Sequence, residues 1–273
     1  MSQRGFTLIE LAFTVTIIGL LIGGGLFAIG PIIDKTNVTK TNNNMDQVEN
    51  ALELFAIRFS RLPCPADGSL PAGSLNYGLE QPAGGGSPCT IGSAAAVIPW
   101  RTLGIDESYS LDGWNNRLTY NVAQPNVLGL PGTTTALTTG APLTHTGATG
   151  YPTGPFMTVM DANSGAAVTP PPPPPPTNTY DQAAYVLVSH GKSGWYAYGK
   201  GATQPRAALF SGGAKSCNSN PAGCSIAVNS YVTGTAKGAY PPASNAYFDD
   251  IVRWRSPAFI IQMCGQGSCG NNS

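Results

Sequence analysis

Charge is what this sequence has least of. Its 273 residues include 14 basic and 14 acidic side chains, a charged fraction of 10% with no net sign. An ordinary soluble domain carries ~25%. Without a basic excess there is no bulk electrostatic footprint for nucleic acid, and no nucleic-acid partner is expected. Histidine is almost absent too: His145 and His190 are the only two, and no two cysteines stand in C-x-x-C spacing. That leaves zinc without its usual ligand sets. The familiar catalytic patterns are missing as well. There is no H-E-x-x-H and no G-x-S-x-G. Gly191-Lys192-Ser193 is no phosphate loop, because Val186 stands where the first glycine would be needed. Ser189 beside His190 is not a triad, which requires convergence in space rather than adjacency. The chain therefore reads as non-enzymatic, with no cofactor. A disordered chain is excluded by a hydrophobic content of 42%.

What is plentiful is glycine (34) and proline (24), the composition of a loop-rich globular chain. Six cysteines fit an oxidising compartment. Six allow 15 pairings. Sequence proximity suggests Cys64–Cys89, Cys217–Cys224 and Cys264–Cys269.

The strongest signal is N-terminal. Leu11 to Ile33 is a run of 23 residues without a charge, long enough for a hydrocarbon core that needs ~20 residues of helix. A cleaved secretory signal fits poorly. The run exceeds the usual ~7–15 residues, and no small-residue exit follows it. Glu10 is the only charge between Arg4 and Asp34. A carboxylate at the edge of such a run is a functional-site hypothesis by default. Gly19 and Gly23 stand in the spacing that lets helices approach closely. Gly23-Gly24-Gly25 and Gly30-Pro31 are expected weak points, where the helix kinks or unwinds.

The junction Arg4-Gly5-Phe6-Thr7-Leu8-Ile9-Glu10-Leu11 resembles that of type IV pilins and the pseudopilins of type II secretion. The resemblance implies cleavage after Gly5 by a prepilin peptidase and methylation of the new N-terminal Phe6. It also implies assembly through Glu10, whose carboxylate would meet the Phe6 amine of a neighbouring subunit. The partners would be that peptidase, other pilin-like subunits and the inner membrane. The chain would be a single-pass inner-membrane precursor with a periplasmic C-terminal domain, later part of an envelope or cell-surface filament. Its length points to a minor or specialised subunit. A tip adhesin displayed on such a filament is the alternative, and a membrane-anchored periplasmic enzyme comes third.

Beyond Pro31 the pattern turns amphipathic. Val38, Met45, Leu52 and Phe59 recur every seven residues, with Val48, Phe55 and Leu62 between them. This is one buried helical stripe. Asn42, Asn43, Asn44, Asp46, Gln47, Glu49 and Asn50 fall on other faces, and Pro63 and Pro65 end the helix. The resemblance implies that residues 1–5 are a leader and 6–33 a transmembrane and assembly helix, and the stripe makes 34–62 its expected amphipathic continuation. Residues 63–273 are a globular domain with a low-complexity, Pro-rich insertion at about 123–182. The fold class is α+β, a long N-terminal helix packed on an antiparallel sheet. Strands are expected at about 117–122, 184–189, 195–198 and 248–254, with a turn at His190–Gly194.

Asp112-Gly113-Trp114, Ser189–Gly194 and Asp249-Asp250-Ile251 are also similar to segments of the pseudopilin globular domain. Some members of that family hold calcium between the hairpin loop and the later acidic segment. Here Lys192 stands in the loop where an acid would help, and only Asp249 and Asp250 offer carboxylates.

Overall fold

A computed structural model describes residues 7–59, 61–85, 89–123, 157–162, 167–168, 183–210, 212–221, 230–238, 240–242, 244, 246–256, 259–260 and 263. The side chains of residues 21–29 lie outside this description.

One helix dominates. α1 runs Leu8–Phe59, 52 residues, with Pro31 inside it. At 1.5 Å per residue it is about 78 Å long. The helical assignment continues through the glycine triplet and Pro31, where the sequence suggested a break. It ends at Phe59, three residues short of the expected Leu62. Among the described residues no helix is long and apolar enough to cross a membrane. The undescribed side chains 21–29 fall in the middle of the uncharged run.

The domain sheet is antiparallel throughout, in the order β1 (Ala66–Asp67), β2 (Ala96–Val97), β3 (Thr119–Val122), β5 (Tyr185–Ser189), β7 (Ile251–Arg255). Tyr120 stands opposite Leu187 across β3 and β5, and Leu187 opposite Arg253 across β5 and β7. The short helix α2 (Trp100–Leu103) lies between β2 and β3. The core forms where the α1 face of Met45, Val48, Leu52 and Ala56 packs with Leu118, Tyr120, Tyr185 and Leu187. Burying each of Met45, Val48, Leu52, Leu118 and Leu187 contributes ~1.5–3 kcal/mol. The ends of the predicted stripe are looser: Val38 is 39% and Phe59 45% exposed.

Three expectations are corrected. The polar residues of α1 do not all face away, because Asn44 and Glu49 are buried. Asn44 Nδ2 donates to the carbonyls of Ser108 (3.0 Å) and Leu111 (2.7 Å). Glu49 Oε2 accepts from Arg255 (2.8 Å) and Arg253 (3.3 Å), fastening the edge strand β7 to the helix. Residues 195–198 form no strand. Turns occupy 191–196, Tyr196 has φ of 69°, and β5 pairs with β3 and β7 instead. Finally, the expected insertion contains a strand, β4 (Thr158–Asp161), paired in parallel with β6 (Ser230–Thr233). This ribbon packs with α3 (Ala214–Ser219) through Val232, Cys217 and Phe248.

Candidate functional site

The first candidate is the start of α1. Thr7 is its N-cap and Glu10 the third helical residue. Glu10 Oε2 accepts from the Thr7 amide (3.0 Å) and the Thr7 hydroxyl (2.9 Å), and Thr7 Oγ1 lies 3.4 Å from the Glu10 amide. This is a capping box, in which the two side chains satisfy amides the helix leaves unpaired. Leu8, Ile9, Leu11, Phe13, Val15, Ile17, Ile18 and Leu20 are all exposed, as are Ile32 and Ile33 beyond the undescribed side chains. They point in every direction around the axis. A helix apolar on all sides belongs in an apolar surrounding, which the described residues do not supply. Gly5 and Phe6 lie outside the described residues.

Where the apolar run ends, the domain grips the helix. Gly113 donates its amide to Thr41 Oγ1 (2.8 Å), and Thr41 donates its hydroxyl to the Asn37 carbonyl (2.8 Å). In the orientation that satisfies its partners, the Asn37 amide donates to the Gly113 carbonyl and accepts from Trp114 Nε1, both at 3.2 Å. Lys192, from the loop after β5, reaches Asp34 Oδ2 at 2.7 Å. Both partners are over one-third exposed, so this bridge contributes little to stability.

The second candidate lies at the far end of β5. His190 opens the expected turn, its carbonyl accepting from the Gly194 amide (3.2 Å), and is fully buried, with Nε2 3.0 Å from Thr119 Oγ1. Among the described residues its Nδ1 has no hydrogen-bond partner, and it lies 3.8 Å from Asp250 Oδ2. Next to it sits a cation the sequence reading missed. Lys215 Nζ, from α3, donates to Asp249 Oδ1 (2.5 Å), to Asp250 Oδ1 and to the His190 carbonyl (3.1 Å). Asn218 Nδ2 donates to the other Asp250 oxygen (2.9 Å). Asp249 Oδ2 accepts from the Ser193 amide (2.8 Å) and the Tyr247 hydroxyl (3.0 Å). Burial lowers the pKa of the Lys215 ammonium, but the two carboxylates outweigh it and hold it above the ordinary value. These residues do not fit calcium, because the ammonium fills the space between the carboxylates. Among the described residues no three His, Cys, Asp or Glu side chains are placed to hold a metal ion.

Burial, reinforced by Lys215 and opposed by Asp249, depresses the His190 pKa from 6.5 to about 3. The unfolded chain therefore binds this proton first as pH falls, and stability is lost below about pH 6.5 until the folded value is reached. Asp112 and Asp250, raised by burial, bias the other way. Between pH 7 and 5 the wild type should lose about 2 kcal/mol more than His190→Gln, in which those carboxylates remain. Urea denaturation at both pH values measures this, and equal losses would remove the His190 contribution.

The N-terminal geometry agrees with the comparison to known families. Residues 1–26 match the family model described as the prokaryotic N-terminal methylation motif, the signature of type IV pilins and pseudopilins. The chain carries a prepilin-type methylation motif. No curated protein and no solved structure matches it. The prepilin-type motif implies processing by a prepilin peptidase and assembly with pilin-like subunits in general. Within it, the side chains of Thr7, Glu10, Thr14 and Thr16 make hydrogen bonds.

Cys64 and Cys89 of this prepilin-type chain form a disulfide across 25 residues, as their proximity suggested. Beside it, Arg61 and Glu80 make a buried, two-pronged ion pair (2.8 and 2.7 Å), and Glu80 also accepts from the Cys64 amide (3.0 Å). Cys217 is disulfide-bonded, to a partner outside the described residues. Cys224, Cys264 and Cys269 lie outside them too.

Proposed function

We propose that the chain is a structural, non-catalytic subunit of an envelope filament of the type IV pilus or pseudopilus kind. It is made as an inner-membrane precursor, cut after Gly5, methylated on Phe6 and polymerised through the first half of α1. The observation that carries this reading is the division of one helix into two environments. From Leu8 to Leu20 it exposes apolar side chains on every side, while from Met45 the same helix is part of the core of a packed domain. An apolar helix continuous with a packed head can sit in a bilayer and then exchange lipid for the helices of other subunits. The methylation motif at residues 1–26 supports the same conclusion.

Processing tests it. A peptidase that cuts beside Gly5 has room for little side chain there. Gly5→Val should therefore leave the membrane fraction holding a precursor longer by the leader, residues 1–5. Intact-mass measurement of wild type and variant decides. A mature wild-type N-terminus at any residue other than Phe6 refutes the reading.

A further inference from the structure

Asp249 and Asp250 precede β7, His190 follows β5, and Lys215 comes from α3, so their cluster joins three separate segments. Three oxygens, two of them from carboxylates, converge on one buried ammonium whose side chain is 2% exposed. His190 Nδ1, fully buried and without a hydrogen-bond partner among the described residues, lies 3.8 Å from the other oxygen of Asp250. Two carboxylates and a peptide carbonyl are the hard oxygen ligands that calcium takes at ~2.3–2.6 Å. One ammonium balances only one of the two negative charges.

We propose that this is a cation site whose cation is supplied by the chain itself. Lys215 is a tethered cation that closes the domain without metal, and its removal turns the cradle into a calcium site. The ammonium fastens α3, and through it the β4–β6 ribbon, to the end of the main sheet. It does so whatever the ionic composition of the surroundings, where a bound metal would come and go with its concentration. A divalent ion that prefers several oxygens and tolerates irregular geometry suits the vacated space. Magnesium does not, because it demands near-octahedral ligands and gives up water reluctantly. This inference does not depend on the filament reading.

The experiment uses the full chain in detergent and follows thermal unfolding in chelator, in millimolar calcium chloride and in millimolar magnesium chloride. Wild type should melt at one temperature in all three. Lys215→Ala in chelator should melt lower by roughly 10 °C, since breaking a buried ion pair strands its carboxylates. Calcium should restore at least half of that loss and magnesium little of it. Calorimetric titration of Lys215→Ala should give one calcium per chain. Lys215→Met, whose apolar stem still fills the space, should not be rescued, and neither should Lys215→Ala combined with Asp250→Asn. A wild type that melts lower in chelator overturns the proposal. So does a Lys215→Ala protein that stays unfolded or unrescued at every calcium concentration, or one rescued equally by magnesium.

Discussion

Glu10→Gln should leave the chain cleaved after Gly5 and held in the membrane fraction, yet reduce its share in sheared filaments about tenfold or more. The structure is what makes this variant informative. The Glu10 carboxylate already has local partners, the amide and hydroxyl of Thr7. Alanine at this position would remove the cap as well as the charge, and a loss of assembly could then come from a frayed helix start. Glutamine serves the third helical position of a capping box as glutamate does. Glu10→Gln therefore keeps the helix start and removes only the negative charge. In the filament reading that charge meets the Phe6 amine of a neighbouring subunit, away from water, where the amine left behind is stranded. The measurement is the ratio of subunit in sheared filaments to subunit in membranes, for wild type, Glu10→Gln and Glu10→Ala. If Glu10→Gln matches wild type while Glu10→Ala fails, capping is the whole role of Glu10. The charge pairing would then be wrong.

Much of this region was legible in the sequence because its signals are local. The uncharged run, the heptad spacing from Met45 and the Gly5–Glu10 junction each lie within a few turns of helix. The capping box was equally local, Thr7 three residues before Glu10, and the spacing alone could have revealed it. What stayed hidden depends on distant residues meeting. Asn44 and Glu49 look like solvent-facing residues until Leu111 and Arg255 arrive from elsewhere in the chain. Lys215 sits in a Gly- and Ser-rich stretch, 34 and 35 residues from the carboxylates it joins. β4 is four residues long, inside a segment whose Thr, Gly and Pro content spoke for a spacer. Its strand character comes from pairing with β6 rather than from any alternation of its own. Of the antiparallel sheet, β3, β5 and β7 were legible as strands but the two-residue β1 and β2 were not, and neither was the order, since β5 takes β7 rather than the following segment as its partner.

Gly113→Val should lower stability by about 2–3 kcal/mol, at the upper end of the cost of forcing extra atoms into a packed site. For a chain of this size that is a melting temperature ~5–10 °C lower. A Cβ at Gly113 would lie 2.5 Å from Asn37 Cα and 2.6 Å from the Asn37 carbonyl carbon. Both are backbone atoms of α1, so no side chain can swing aside. Either the 112–116 loop lifts off or the helix bends. Lifting the loop breaks the Gly113–Thr41 hydrogen bond and both amide contacts of Asn37. It also uncovers Thr41, which is otherwise fully buried. Gly73→Val is the control, because Gly73 is exposed and a Cβ there meets nothing within 4 Å. It should change stability by no more than ~0.5 kcal/mol. Equal melting of the two variants would show that the loop yields without cost and that the seam is not rigid. The position of the seam gives the result a functional side. Asn37 lies one helical turn past Ile33, where the uncharged run ends. Gly113 thus sets how the head stands on the rod. In the filament reading, Gly113→Val should be cleaved normally after Gly5 but enter filaments poorly, since a head that shifts on its helix cannot repeat the same packing from one subunit to the next.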